Sequence, residues 1–181
     1  MDNNQKEILF QNIRTNIEAN VSNPQILSLR TCAGNTQQTE RNNIDIVRHV
    51  LDEMNLTYQE AGTQQSKDFR NVGNIGLNIE IKKTDSKIIY FNDTCPCADI
   101  YYIIFYTGTN YKKKTNIPPK IIFLNGIQFL QHTESWLPEF IRELEQLKNK
   151  YARGENKKKL EGILEVYPRP TFKANISNFI Q

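Results

Sequence analysis

The stretch from Asp99 to Tyr106 constrains the fold of this chain more than any other. Ile100, Tyr101, Tyr102, Ile103, Ile104 and Phe105 follow one another without a charged residue. A run of that length, rich in β-branched and aromatic side chains, reads as a central strand covered on both faces. Strand side chains alternate between faces, so the sheet that holds it needs an apolar layer on each side.

Helical periodicity supplies candidates for those layers. Residues 4–20 read as an amphipathic helix with Ile8, Leu9, Ile13 and Ile17 toward one side. Asn23-Pro24 breaks it or opens a short following segment. Residues 31–39 read as a polar loop, and 40–54 as a second helix burying Ile44, Val47, Leu51 and Met54. His49 falls nearly opposite that stripe and is expected to face solvent. A longer helix is predicted at about 135–152, with Pro138 near its start, Gly154 past its end, and Leu137, Phe140, Ile141, Leu144 and Leu147 as its packing stripe.

Four further strands are predicted. Leu56 to Gln59 reads as a short edge strand and residues 77–83 as a strand after a turn at Gly73 and Gly76. Thr84-Asp85-Ser86 reads as a hairpin turn leading to a paired strand at 87–91. The fourth runs from Lys120 to Leu124, closed by Asn125-Gly126. Residues 155–181 carry no clear pattern. Helices, then strands, then a helix predict an α/β domain with a mixed sheet flanked by α-helices. No repeat or linker divides the 181 residues, so one domain over 1–181 is expected.

Composition narrows the function classes. Hydrophobic residues at 38% and charged residues at 24% describe a globular chain and exclude wholesale disorder. A net charge of +3 and a pI near 8.7 permit nucleic-acid binding without demanding it. The lysines cluster at Lys82-Lys83, Lys112 to Lys114 and Lys157 to Lys159, the last a solvated surface run. Cys32, Cys95 and Cys97 form no framework and read as reduced thiols. Structural zinc needs about four ligands, and His49 and His132 have no spacing that completes such a set. The polar N-terminus resembles no signal peptide, and no apolar run approaches the ~20 residues of a membrane helix. The expectation is a soluble, cytoplasmic protein without membrane contact.

Chemistry concentrates at Asp68 and at Asn78-Ile79-Glu80-Ile81-Lys82. On a strand, Glu80 and Lys82 share one face while Ile79 and Ile81 take the other. Two carboxylates and an ammonium gathered at one spot are stabilised by a divalent cation. Mg²⁺ takes oxygen ligands, which Asp68, Glu80 and the carbonyl of Ile81 can supply. Such a metal polarises a scissile phosphate, and Lys82 can orient water or neutralise charge on the phosphorane. Taken alone, the spacing also suits ordinary surface salt bridges.

The flanks add a resemblance. Gly62 to Val72 resembles the approach to the first acid of the PD-(D/E)XK nucleases, and Asn78 to Thr84 resembles their second half-motif. Phe91-Asn92-Asp93-Thr94 and Pro96 before Tyr101-Tyr102 are similar to the strand-loop-strand that follows in several type II restriction endonucleases. Gly34-Asn35-Thr36 leading to Glu40 and Arg41 is a weaker similarity. Lys67 stands where proline precedes the first acid in the motif. The resemblance spans about residues 34–106 and implies a restriction-endonuclease-like fold with a catalytic core at about 34–153. It implies Mg²⁺-dependent cleavage of double-stranded DNA by Asp68, Glu80 and Lys82. It also implies a homodimer matched to a palindromic site and pairing with a DNA methyltransferase.

DNA contacts follow from side-chain chemistry. Arg70, Lys83 and Lys112, Lys113 and Lys114 are candidates for phosphates. Gln64, Gln65, Asn92 and Asp93 border the proposed site and are candidates for bases or its support, and Asn35 is a further DNA-contact candidate. Two other readings keep the same scaffold: a repair or structure-specific nuclease, and a non-catalytic DNA-binding domain.

Overall fold

The fold is given by a computed structural model that describes residues 3–30, 36–60, 67–92, 96–108, 117–130, 136–147, 149–150 and 171–180. In chain order the elements are α1 Asn3–Asn20, α2 Asn23–Ser28, α3 Thr36–Glu53, β1 Gln59–Glu60, β2 Phe69–Val72, β3 Leu77–Thr84 and β4 Ile88–Asn92. They continue with β5 Ile100–Tyr106, β6 Lys120–Asn125, α4 Gly126–Leu130, α5 Leu137–Leu147, β7 Thr171–Asn175 and a 3₁₀ turn at Ser177–Phe179. The main sheet has the order β1-β2-β3-β5-β6, and β4 pairs with β7 in a second sheet. Among the described strands, β3 and β5 alone run parallel, and the remaining pairs are antiparallel. The chain is therefore a mixed α/β fold.

β5 has the role its composition demands. All seven of its residues are buried, and they divide between two cores. Tyr101, Ile103 and Phe105 pack with Leu77, Ile79 and Ile81 of β3 under α1 and α3. Phe10, Ile13 and Ile17 of α1 and Val47, Val50 and Leu51 of α3 close that side. Ile100, Tyr102, Ile104 and Tyr106 face the other way, against Phe91 of β4, Ala174 of β7 and Phe129 of α4. Each large apolar side chain so buried contributes ~1.5–3 kcal/mol of transfer free energy. The second cover is thus a two-stranded sheet with a short helix, where long helices were expected.

The expected hairpin between residues 77–83 and 87–91 does not form. β5 takes the place beside β3, in register Glu80 with Tyr102 and Lys82 with Ile104. The reason is visible in β4, which buries Ile89 and Phe91 but exposes Ile88 and Tyr90. A strand apolar on one face gains little from a central position, whereas β5 is apolar on both. The buried Thr84 hydroxyl turns the chain out of the sheet, donating to Ile88 O at 2.7 Å and accepting from Ser86 N at 3.1 Å.

Other boundaries shift for local reasons. α3 starts at Thr36, inside the expected polar loop, because Thr36 to Thr39 contain no glycine or proline to stop it. In α1 the buried positions are Phe10, Ile13 and Ile17, while Ile8 is exposed. α5 buries Leu137 but leaves Phe140 and Leu147 exposed, so its expected stripe is only partly covered. Residues 171–180, unread in the sequence, supply β7 and the 3₁₀ turn. Among the described residues no helix is long and apolar enough to cross a membrane.

Candidate active site

β2 is four residues long and lies between β1 and β3. It pairs Phe69 with Ile79 and Val72 with Leu77, a register that shifts by one residue across a bulge. Asn71 sits at φ 49°, and its Oδ1 accepts from Gly76 N at 2.8 Å across the turn. Gly73, at φ 67°, holds a left-handed conformation that other residues rarely adopt. The turn therefore fixes how β2 lies along β3.

That register carries Asp68, just ahead of β2, level with Glu80. Past Phe69 no β2 residue continues the pairing, and the Asp68 side chain takes over. Its Oδ2 accepts a hydrogen bond from Ile81 N at 2.6 Å. A strand residue projects its N–H and C=O to the same side, so the Ile81 carbonyl faces this same edge.

Glu80 and Lys82 project from one face of β3, as alternation requires. Lys82 Nζ lies 2.5 Å from Glu80 Oε1, with side-chain exposures of 21% and 7%. The face is enclosed rather than open. Lys82 Nζ lies 5.3 Å from the centroid of Phe91, a cation–π contact. Tyr102, across from Glu80, is fully buried, with ring centroids 5.0 Å from Phe129 and 5.6 Å from Phe91. Its oxygen accepts from Cys97 N at 2.9 Å. Burial pushes the Tyr102 phenol well above its ordinary pKa; the Cys97 amide works against that, and the Glu80 charge adds to it. Lys67, next to Asp68, pairs with Asp99 at 3.6 Å, tying the approach to β2 to the start of β5.

Asp68, Glu80, Ile81 and Lys82 are thus brought together. The DNA-contact candidates are more scattered. Arg70 lies half-buried in β2, opposite Gln59. Lys83 leaves the opposite face of β3 from Glu80 and donates to Leu29 O at 3.1 Å, so it is engaged with the α2 end and not with the Glu80 face. Asn92 closes β4, with its side chain outside the described set. Asn35, Gln64, Gln65, Asp93, Lys112, Lys113 and Lys114 lie outside the described residues. Phe91 and Tyr102 were read from the sequence only as strand and core. Their place beneath Glu80 and Lys82 depends on register between strands, for which the sequence carries no signal beyond a hydroxyl in an apolar run.

Among the described residues no group of three or more His, Cys, Asp or Glu side chains gathers as a metal site. The donor set here is two carboxylates and a backbone carbonyl. All are hard oxygens, the ligand type that Mg²⁺ takes. No family model matches the chain, and no curated protein or solved structure matches it.

Proposed function

We propose that this chain is a Mg²⁺-dependent endonuclease of the PD-(D/E)XK kind, acting on double-stranded DNA as a type II restriction enzyme. The observation that supports it is the convergence of Asp68 on the Ile81 amide at 2.6 Å, beside the Glu80–Lys82 pair. Asp68, Glu80 and the Ile81 carbonyl would hold the metal. Bound there, Mg²⁺ supplies Lewis-acid polarisation of the scissile phosphate. Lys82 offsets negative charge as it grows on the phosphate oxygens. Glu80 holds that ammonium in place, and Phe91 and Tyr102 exclude water from beneath the pair. Water adds to phosphorus and loses a proton to solvent, and the bridging P–O bond breaks with its electron pair on the leaving oxygen, which takes a proton from solvent to become a hydroxyl.

One such site cuts one strand, so a two-fold dimer cuts both strands of a palindromic site. A partner DNA methyltransferase protects the cell's own copies of that site. The test is incubation of unmethylated plasmid with purified protein and Mg²⁺. Discrete fragments are expected, with loss of cutting in EDTA and in Asp68→Ala and Lys82→Ala. Variants that cut like wild type would overturn the site. Nicks or flap-specific cuts in place of discrete fragments would shift the reading to a repair or structure-specific nuclease. Expression without a methyltransferase is expected to be toxic, and Asp68→Ala to relieve that toxicity.

A further inference from the structure

A cavity of about 320 Å³ lies beside β7, α4 and the 3₁₀ turn, away from Asp68. Three rings, Phe129, Phe172 and Phe179, contribute to its wall. It is joined to the candidate site through one aromatic layer. Lys82 Nζ lies 5.3 Å from the Phe91 centroid, which is 6.0 Å from the Phe172 ring and 5.6 Å from Phe129.

The polar groups of the cavity are carboxamides and one lysine. Gln128 Oε1 accepts from Asn125 N at 2.9 Å, which leaves its NH₂ to point elsewhere. Asn175 Oδ1 accepts from Ser177 N and Oγ at 2.9 and 2.6 Å, which likewise leaves its NH₂. Asn178 is exposed and offers an amide donor and acceptor side by side. Lys173 is exposed beside them, its Nζ 5.7 Å from the Tyr90 ring centroid. Aromatic faces stack bases of any kind. A carboxamide pairs in bidentate fashion with adenine, which presents a donor beside an acceptor.

We propose that this cavity holds an unstacked adenine of the nucleic-acid strand, with its phosphate on Lys173. The proposal rests on the nuclease reading for the source of the base, but the cavity can be tested without it. Ligand-observed saturation-transfer NMR on the full chain in EDTA compares the four deoxynucleoside monophosphates. The adenine nucleotide is expected to bind tightest, and excess deoxyribose 5-phosphate not to displace it. Asn178→Leu, at an exposed position, weakens that binding roughly tenfold, as does Phe172→Ala. Asp68→Ala leaves it unchanged. A hairpin with one unpaired adenine competes better than a fully paired hairpin.

Equal binding of the four nucleotides, no effect of Asn178→Leu, or equal competition by the two hairpins would each overturn the proposal. Plasmid cleavage by a chain without adenine preference removes this cavity's role and leaves the nuclease reading standing. Adenine preference in a chain that cuts no DNA supports the cavity and removes the nuclease reading.

Discussion

The two faces of β3 and β5 carry different burdens. On the helical face, Leu77, Ile79, Ile81, Tyr101, Ile103 and Phe105 meet α1 and α3 in a core that is almost wholly apolar. On the other face the same strands present Glu80, Lys82 and the Tyr102 hydroxyl among Phe91 and Phe129. Burying a polar group costs free energy unless it is hydrogen-bonded, and burying a charge costs several kcal/mol unless it is paired. Glu80 meets that condition through Lys82, and Tyr102 through the Cys97 amide. One face holds the fold together, and the other accepts polar groups that packing alone would disfavour. Such a conflict between local chemistry and burial is what a functional site produces.

The largest test sets one face against the other. Leu51→Ala and Phe91→Ala each lose about 3 kcal/mol in urea unfolding, because both side chains are fully buried. On the nuclease reading, folded Leu51→Ala cuts DNA at the wild-type rate, whereas Phe91→Ala, which removes the ring beneath Lys82, does not. Equal cleavage by both would erase the distinction. Next, Glu80→Gln leaves Lys82 without its counter-charge and costs about 2–3 kcal/mol, below the ~3–5 kcal/mol of a fully buried pair because Lys82 is partly exposed. Lys82→Met in the same chain recovers most of that loss, and a double-mutant cycle by urea unfolding measures the coupling.

Gly126→Ala comes third. A Cβ there would fall 1.7 Å from the Cys97 carbonyl oxygen, so the loop must move, and with it the amide that donates to Tyr102. A loss of about 1–3 kcal/mol is expected, read as a lowered melting temperature.

The fourth test is alkaline pH. Burial pushes Tyr58 and Tyr101 up to about 12 and raises Tyr102 and Tyr106 as well. In the unfolded chain these phenols ionise near ~10. Their stabilisation is whole below that pH and is lost as pH rises through the folded values. Urea unfolding at steps from about pH 9 to 12 should show a falling stability, with a shallower slope in Tyr101→Phe. Smallest of all is His49→Ala. The His49–Glu53 pair is exposed, so the change stays within about 0.5 kcal/mol and leaves any activity intact.

The legible parts of the sequence were those with dense local signals. Ile100 to Tyr106 announced a strand covered twice, and the spacing of Val47 and Leu51 announced the buried side of α3. Glu80 and Lys82 were legible as a pair on one face because alternation along β3 needs no knowledge of its neighbours. β2 was not legible: four residues interrupted by a bulge leave too short a pattern. β7 was hidden for a related reason: its partner β4 lies 81 residues upstream at the pairing of Phe91 with Phe172, a separation that no rule of local spacing covers.

The sequence by itself determined the layered α/β class, the central strand and the shared face of Glu80 and Lys82. These follow from side-chain alternation and hydrophobicity, which act along the chain. Tertiary structure alone decided that β5 displaces β4 beside β3, that Asp68 reaches the Ile81 amide, and that Phe91 and Tyr102 lie beneath the charged pair. Those choices depend on which of several strands gains most from a central position. That is a competition between distant segments, settled by total burial and not by any one stretch of residues.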